Sequence, residues 1–521
     1  MRLFALCFIT PLLVVSASTS QAASHFVFPL PPGPFAVGFK AVHQYDHARA
    51  YRAEIDAVTG KRYDVEPARP MQTLVWYPSS APGKSLVYGD YLRMTGSEDD
   101  FNRTEVEASA FADRVVRTGY FSVSGLEQGE AALRGPMRAQ SDAGPAQGSY
   151  PVVIYAPSIS APAGENADLC EYLASYGYIV IASPSVGTRS REMASDLEGT
   201  ETQSADVAFL IRYAHSLPHA DPKRIALAGY SWGGLANVLA AAKDRRIKAL
   251  IDLDGSVRAY PELVAAAKYV SPANLHMPML FVGGSPASIE QLAQRGKPVS
   301  GFLNDVKYTD LYKLTMYPMQ HFAFSSTYLR FAPDTMFDQY PRADVNRAYG
   351  WVAEYVRHFL DAYLKEDGAA KIWLASTPAS HGMPAYAVTL DVRPAAPMPP
   401  SRTELAAELS RRGFEHAHAV YQVLRARDKT FMLPEPELNA WGYSLLLAGQ
   451  QRQAVEIFRL VTLVYPDSAN AFDSLAESYE QVGNKTAAIK HYRRSLELNP
   501  DNKNAQQRLG HLGASNEART R

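Results

Sequence analysis

The stretch Arg224-Ile225-Ala226-Leu227-Ala228-Gly229-Tyr230-Ser231-Trp232-Gly233-Gly234 decides the fold. Its first half is an apolar run of strand length, and the run that follows, Leu235 to Lys243, is alanine-rich and of helical composition. Gly229 to Gly234 therefore fall where a strand turns sharply into a helix. A serine at such a turn needs small neighbours, because a side chain at Gly229 or Gly233 would collide with the adjoining strand and helix. The strain lifts the Ser231 hydroxyl above the sheet, and the Trp232 amide, at the helix N-terminus, is left as an anion donor. A glycine-rich turn that only packs closely is the plain alternative; strand before and helix after favour a nucleophile.

Outward from this turn the pattern alternates. Pro151 to Ala156, Tyr178 to Ala182, Ile247 to Asp254, Met279 to Gly283 and Lys313 to Tyr317 read as strands, with helices predicted over Gly164 to Tyr176, Thr202 to His215 and Val345 to Leu364. Continuous apolar strands separated by helices mean an α/β fold, a mostly parallel sheet covered on both faces. Upstream, Phe35 to Phe39 and Met71 to Pro78 read as the first, edge-side strands, separated by a hairpin excursion from about His43 to Pro70. From Ser79 to Tyr150 the pattern is mixed, with helix starts expected at Ser97 to Asp100 and Thr104 to Glu107. So long an insertion reads as a lid or pocket wall, and Tyr88, Tyr91, Phe101, Phe111, Tyr120 and Phe121 look exposed in it.

Ligand chemistry in such a sheet belongs at the carboxyl ends of its strands. Ser231 needs a base, and the base needs a carboxylate to orient it. The chain order for a serine on a strand-to-helix elbow is Ser, acid, His. Asp254 ends the strand after the elbow helix, and His321 follows the last strand, in Tyr317-Pro318-Met319-Gln320-His321. Asp252 shares the face of Asp254 but lies two residues deeper, where an ionised carboxylate would lack solvent and partners. The commoner acid position, one strand later, reads Val282-Gly283-Gly284-Ser285-Pro286 and has no carboxylate. His358 sits mid-helix and His381 beyond the last sheet helix, so both read as structural or exposed. A second oxyanion amide is expected in the loop Pro157 to Pro162, at Ile159.

Four motifs carry a resemblance. They are Pro32-Gly33-Pro34 leading into Phe35-Ala36-Val37-Gly38; Leu74-Val75-Trp76-Tyr77-Pro78; the elbow with Leu253-Asp254 placed 23 residues after its serine; and His321-Phe322-Ala323-Phe324. On these, Phe35 to Leu364 resembles the platelet-activating-factor acetylhydrolase branch of the α/β-hydrolases, itself similar to dienelactone hydrolases. The resemblance implies an α/β-hydrolase fold, the acid at Asp254, and cleavage of a small-molecule or lipid-like carboxylic ester through an acyl-enzyme, without metal or organic cofactor. One departure stands out: the family has a His-Gly pair before its oxyanion residue, where this chain has Pro157-Ser158. Dienelactone hydrolases proper use cysteine as nucleophile, and here the residue is serine.

Composition narrows the rest. At 521 residues two domains are expected, and 52 Lys and Arg against 53 Asp and Glu, with no long run of one sign, argue against nucleic acid. Met1-Arg2, the apolar Leu3 to Val15 and the small residues up to Ala23 read as a secretory signal over 1–23, so a secreted or periplasmic protein is expected. Its apolar core is short for a membrane span, and no later stretch reaches that length. Cys170, the one thiol left after cleavage, sits in a helical pattern as a buried free cysteine.

A linker at 393–402, rich in Pro and Ala, ends the hydrolase-like domain (29–392, with the insertion at 79–150). Beyond it, Gly449, Ala454, Phe458 and Pro466 recur as Gly483, Ala488, Tyr492 and Pro500, each offset by 34. That period is the tetratricopeptide signature, read over 403–514 with a diverged first unit at Thr403 to Pro436 and a capping helix around Ala505 and Leu509. His416 and His418, two apart on a helix, point to different faces and do not suggest a metal site. Such arrays bind peptides or partner proteins, or brace the neighbouring domain. Two further readings stand beside the esterase: an inactive hydrolase-fold scaffold acting through its repeats, and a peptidase of the same fold.

Overall fold

A computed structural model describes residues 26–52, 68–285, 301–337 and 339–513. The expected signal over 1–23 and the tip of the hairpin excursion lie outside them. The chain forms two compact units, Met1–Ala396 and Pro397–Arg521.

In the first unit, eleven strands among the described residues form one sheet, in the order β13 (Val388–Arg393), β12 (Leu311–Met316), β11 (Met279–Gly284), β10 (Ile247–Leu253), β9 (Ala220–Tyr230), β7 (Tyr150–Ala156), β8 (Ile179–Ala182), β4 (Thr73–Ser79), β1 (Ala36–Val42), β6 (Pro136–Ser141) and β5 (Lys84–Val87). Its centre is β8 (Ile179–Ala182), β7 (Tyr150–Ala156), β9 (Ala220–Tyr230), β10 (Ile247–Leu253), β11 (Met279–Gly284) and β12 (Leu311–Met316). These six run parallel. Alternation along them feeds two cores. Val152, Ile154, Ile225 and Leu227 point into one, Val153, Tyr155, Ala226 and Ala228 into the other. Helices Leu197–Ala214 and Trp232–Lys243 close the first core, and Ala167–Ser175 and Arg342–Leu364 the second. Both faces being covered is why these strands read as unbroken apolar runs.

The edges differ from expectation. β1 (Ala36–Val42) and β4 (Thr73–Ser79) lie inside the sheet, paired antiparallel, and the true edge is made by β5 (Lys84–Val87) and β6 (Pro136–Ser141), both from the 79–150 insertion. The opposite edge is β13 (Val388–Arg393), antiparallel to β12, in a stretch read as the end of the domain and the start of the linker. The excursion between β1 and β4 does carry a hairpin pair, β2 (Tyr45–Ala50) with β3 (Ala68–Pro70).

Two expectations for the insertion are corrected. Ser97 starts no α-helix; it ends a short 3-10 turn, Met94–Ser97. The helix Glu105–Val115 starts at Thr104, whose hydroxyl accepts the Glu107 N–H while Glu107 reaches back to the Thr104 N–H. Tyr88 and Tyr91 are not exposed but buried in the main core, bonded to Thr327 and Glu171. An apolar ring with one polar tip can be buried when that tip finds a partner, which the sequence does not show.

The second unit is a run of helices, of which Glu435–Leu447 pairs with Gln451–Val464 and Ala469–Gln481 with Lys485–Leu498. The 34-residue recurrences sit where helices touch: Ala454, Phe458, Ala488 and Tyr492 are fully buried. A Cβ at Gly442 would stand 2.5 Å from the Phe458 ring, so glycine permits that close approach. Gly449 and Gly483, both at positive φ, end the first helix of each pair.

Candidate active site

β9 delivers Ser231 to the carboxyl edge of the sheet, and there the backbone turns abruptly. Ser231 has φ 54° and ψ −116°, outside the ordinary regions for a residue with a side chain. The strain is held by hydrogen bonds on both sides: the Ser231 N–H donates to the Leu253 carbonyl at 3.1 Å, and its carbonyl accepts from Ser256 at 2.8 Å and Gly234 at 3.1 Å. The flanking glycines are obligatory. A Cβ at Gly229 would come within 2.6 Å of Gly233, and one at Gly233 within 2.1 Å of the Ala156 carbonyl oxygen.

Next to β9, Leu253 pairs with Tyr230, so Asp254 emerges beside Ser231. His321 opens a 3-10 turn, His321–Phe324, after β12. These three side chains meet. His321 Nε2 stands 2.9 Å from Ser231 Oγ, and His321 Nδ1 is 2.6 Å from Asp254 Oδ2. The second carboxylate oxygen, Oδ1, accepts the Gly284 N–H at 3.1 Å. Asp254 itself is at φ 46°, with its N–H on the Val282 carbonyl at 2.7 Å.

Asp252, by contrast, lies fully buried on β10 with neither oxygen in a well-formed hydrogen bond. Burial, with the charge of Asp254 beside it, pushes its pKa up to about 8 against the pull of the Gly255 amide and Arg258. At neutral pH it is a protonated, uncharged group. Neither of its oxygens reaches an imidazole nitrogen, whereas Asp254 Oδ2 lies against His321 Nδ1.

The expected oxyanion amides are also placed. Trp232 begins the elbow helix, and its N–H is one of the first-turn donors that have no partner inside the helix. Ile159 lies in a turn closed by the Ala161 N–H on the Ser158 carbonyl at 3.1 Å. Among the described residues its own N–H has no acceptor. The turn starts against the elbow, since the Ala156 carbonyl is the atom that excludes a side chain at Gly233.

The remaining candidates lie apart from this cluster. His358 and His381 sandwich Trp373, each with ring centroids 4.0 Å away, and burial followed by the Arg357 charge lowers His358 to about 4. Cys170 is buried in the helix Ala167–Ser175, and burial raises its thiol pKa well above the ordinary value. Among the described residues no group of three or more His, Cys, Asp or Glu could hold a metal, and no helix is long and apolar enough to cross a membrane.

Several residues at this site were not singled out in the sequence. Tyr230 donates from its hydroxyl to the His321 carbonyl at 2.9 Å and lays its ring 5.1 Å from the imidazole. Its signal was its place beside the serine. Gly284 stands where a later acid would, and a Cβ there would come within 2.5 Å of the Met319 carbonyl, in the loop that carries His321. Glu98, Glu165 and Arg191 surround the Ile159 turn. The Glu165 carboxylate accepts from both the N–H and the hydroxyl of Ser158, and Arg191 bridges the Ser160 carbonyl to Glu98. No local pattern marks them, because the partners are close only in the folded chain.

Residues 139–360 match the model of the Dienelactone hydrolase family, and residues 469–512 match a Tetratricopeptide repeat. Among solved structures, the chain is similar to a ferulic acid esterase from Streptomyces cinnamoneus, at 20% identity and a TM-score of 0.47, over 70% of this chain and 98% of that one. No curated protein matches the chain in sequence.

Proposed function

Because the chain carries a domain of the dienelactone hydrolase family, of α/β-hydrolase type, together with a C-terminal tetratricopeptide repeat, we propose that it is a serine hydrolase of carboxylic esters. The observation that carries this reading is the continuous line from Ser231 Oγ through both nitrogens of His321 to Asp254, at 2.9 and 2.6 Å. With Nδ1–H donating to the carboxylate, Nε2 is left as an acceptor for the serine proton.

The serine hydroxyl attacks the ester carbonyl as Nε2 takes its proton, and the imidazolium that forms is balanced by Asp254. The amides of Trp232 and Ile159 hold the developing oxyanion, each such donor stabilising the transition state by about 3 kcal/mol. Protonated His321 then returns the proton to the leaving alkoxide, freeing the alcohol and an acyl-Ser231 ester. Water activated by the same nitrogen releases the acid and regenerates the serine. No step calls for a metal or an organic cofactor. The His321 side chain is about half exposed, which suits a substrate arriving from solvent. The apolar N-terminal segment supports export of the enzyme, and the repeat unit supports a peptide or protein partner.

The test is a panel of p-nitrophenyl esters of increasing acyl length, assayed with the wild type and with Ser231→Ala. The reading predicts saturable hydrolysis with a preferred acyl length in the wild type, and none above background in the variant. Equal rates for the two proteins would overturn it.

A further inference from the structure

The Ile159 turn departs from what its family resemblance led one to expect: proline and serine stand where a His-Gly pair would be. Something else must therefore set the direction of the Ile159 N–H. A trans peptide plane points its C=O and its N–H to opposite sides. The Ser158 carbonyl is locked by the Ala161 N–H at 3.1 Å, so the Ile159 N–H of the same plane is directed out of the turn. That direction holds only if Ser158 itself is held.

Glu165 does this. Its Oε2 accepts the Ser158 N–H at 2.8 Å and its Oε1 accepts the Ser158 hydroxyl at 2.5 Å, the residue as a whole being 1% exposed. The backbone carbonyl of the same residue accepts from the Thr327 N–H at 3.1 Å and the Thr327 hydroxyl at 2.8 Å, in the segment that follows His321. Asn166 continues the link, donating to the Phe324 carbonyl at 2.9 Å and accepting from the Ser326 N–H at 2.7 Å. One residue thus grips the turn with its side chain and the histidine loop with its backbone. Building on the esterase reading above, we propose that Glu165 is a positioning residue: through Ser158 it fixes the turn that presents the Ile159 amide to the oxyanion, in register with the loop carrying His321.

A buried carboxyl is costly to keep unless its hydrogen bonds repay it. Burial pushes Glu165 up to about 7, while the Ser158 bonds and the nearby His321 pull the other way, so above that pH the carboxylate accepts both Ser158 donors. Glutamine in its place keeps the geometry. Its carbonyl oxygen accepts the Ser158 N–H, and its amide donates to the hydroxyl, which rotates to accept. Alanine keeps nothing.

Steady-state kinetics on a p-nitrophenyl ester at pH 8 test the proposal with wild type, Ser231→Ala, Glu165→Ala, Glu165→Gln and Ser158→Ala. Loss of a whole oxyanion donor costs about 10²- to 10³-fold. A donor left present but loosely aimed is expected to cost less, about 10- to 100-fold in kcat for Glu165→Ala, with KM within about threefold. Glu165→Gln should stay within about threefold of wild type. Ser158→Ala, which removes one contact and leaves no cavity at Glu165, should lose about three- to tenfold and decides the matter if Glu165→Ala fails to fold. The proposal is overturned if wild type and Glu165→Ala have equal kcat, if glutamine is as damaging as alanine, if the loss is confined to KM, or if Ser158→Ala is without effect. A wild type with no more activity than Ser231→Ala overturns the esterase reading and this inference together; an active wild type with an unchanged Glu165→Ala overturns this inference alone.

Discussion

Two aspartates two residues apart, Asp252 on β10 and Asp254 just past its end, offer the sharpest test of how the site works. Asp254→Asn removes a charge without leaving a cavity. Asp254 faces two donors, His321 Nδ1–H and the Gly284 N–H, one for each oxygen. Asparagine has one acceptor, so its NH2 must face one of those donors or force His321 into the tautomer with the proton on Nε2. In that tautomer the ring cannot accept from Ser231. The charge matters as well. A carboxylate and an imidazolium about 4 Å apart attract by about 4 kcal/mol at an effective dielectric near 20. Side-chain exposures of 21% for Asp254 and 54% for His321 mean solvent screens part of it, leaving about 2–3 kcal/mol. Together with the tautomer conflict, kcat should fall on the order of 10³-fold with KM little changed. Asp252→Asn is the control. That carboxyl is already protonated at pH 7, so an isosteric neutral group should leave kcat within about threefold. Initial rates on a soluble ester at pH 7 read both variants. A drop of less than tenfold in Asp254→Asn, or an equal loss in Asp252→Asn, would refute the assignment of roles.

Other expectations follow from the same geometry. The Asp252 pKa is near 8 in the folded chain and near 3.8 unfolded, so the folded state holds a proton that the unfolded state has lost, and stability drains away as pH rises from 3.8 to 8; Asp252→Asn abolishes this, and its Tm relative to wild type should be higher at pH 8 than at pH 5. Gly284→Ala would place a methyl 2.5 Å from the Met319 carbonyl and push the histidine loop from Asp254, so kcat should fall tenfold or more while circular dichroism stays native. With residues 1–23 removed, Cys170 is the one thiol, and being buried it should react with a disulfide reagent only after unfolding; rapid reaction of the native protein would contradict the placement of its helix.

What could be read before the fold was known follows a physical rule. Ser231, Asp254 and His321 each sit just beyond an apolar run, and parallel strands put all such positions at one edge. Choosing Asp254 over Asp252 needed only the cost of an ionised group two residues deeper in a sheet. The central strands and the 34-residue repeats were plain because burial on both faces, and close helix contacts, leave periodic marks. Edge strands leave few. Lys84-Ser85-Leu86-Val87 and the Pro136 to Ser141 run are half polar, since one flank meets solvent or a short partner, and they were absorbed into an insertion. Tyr88 and Tyr91 looked exposed for the same reason that Glu98 and Glu165 went unnoticed. Their burial depends on partners more than 60 residues away, such as Thr327 for Tyr88, Glu171 for Tyr91 and Ala163 for Glu98, or, for Glu165, on a turn whose shape no composition reveals.

The most direct measurement is covalent capture of the nucleophile. The wild type, incubated with a fluorophosphonate, is digested and its adduct located by peptide mass spectrometry. The account predicts one adduct, on Ser231, missing in Ser231→Ala and formed at least 100-fold more slowly in His321→Ala. An adduct on another residue, or none in a protein that still cleaves esters, would contradict it.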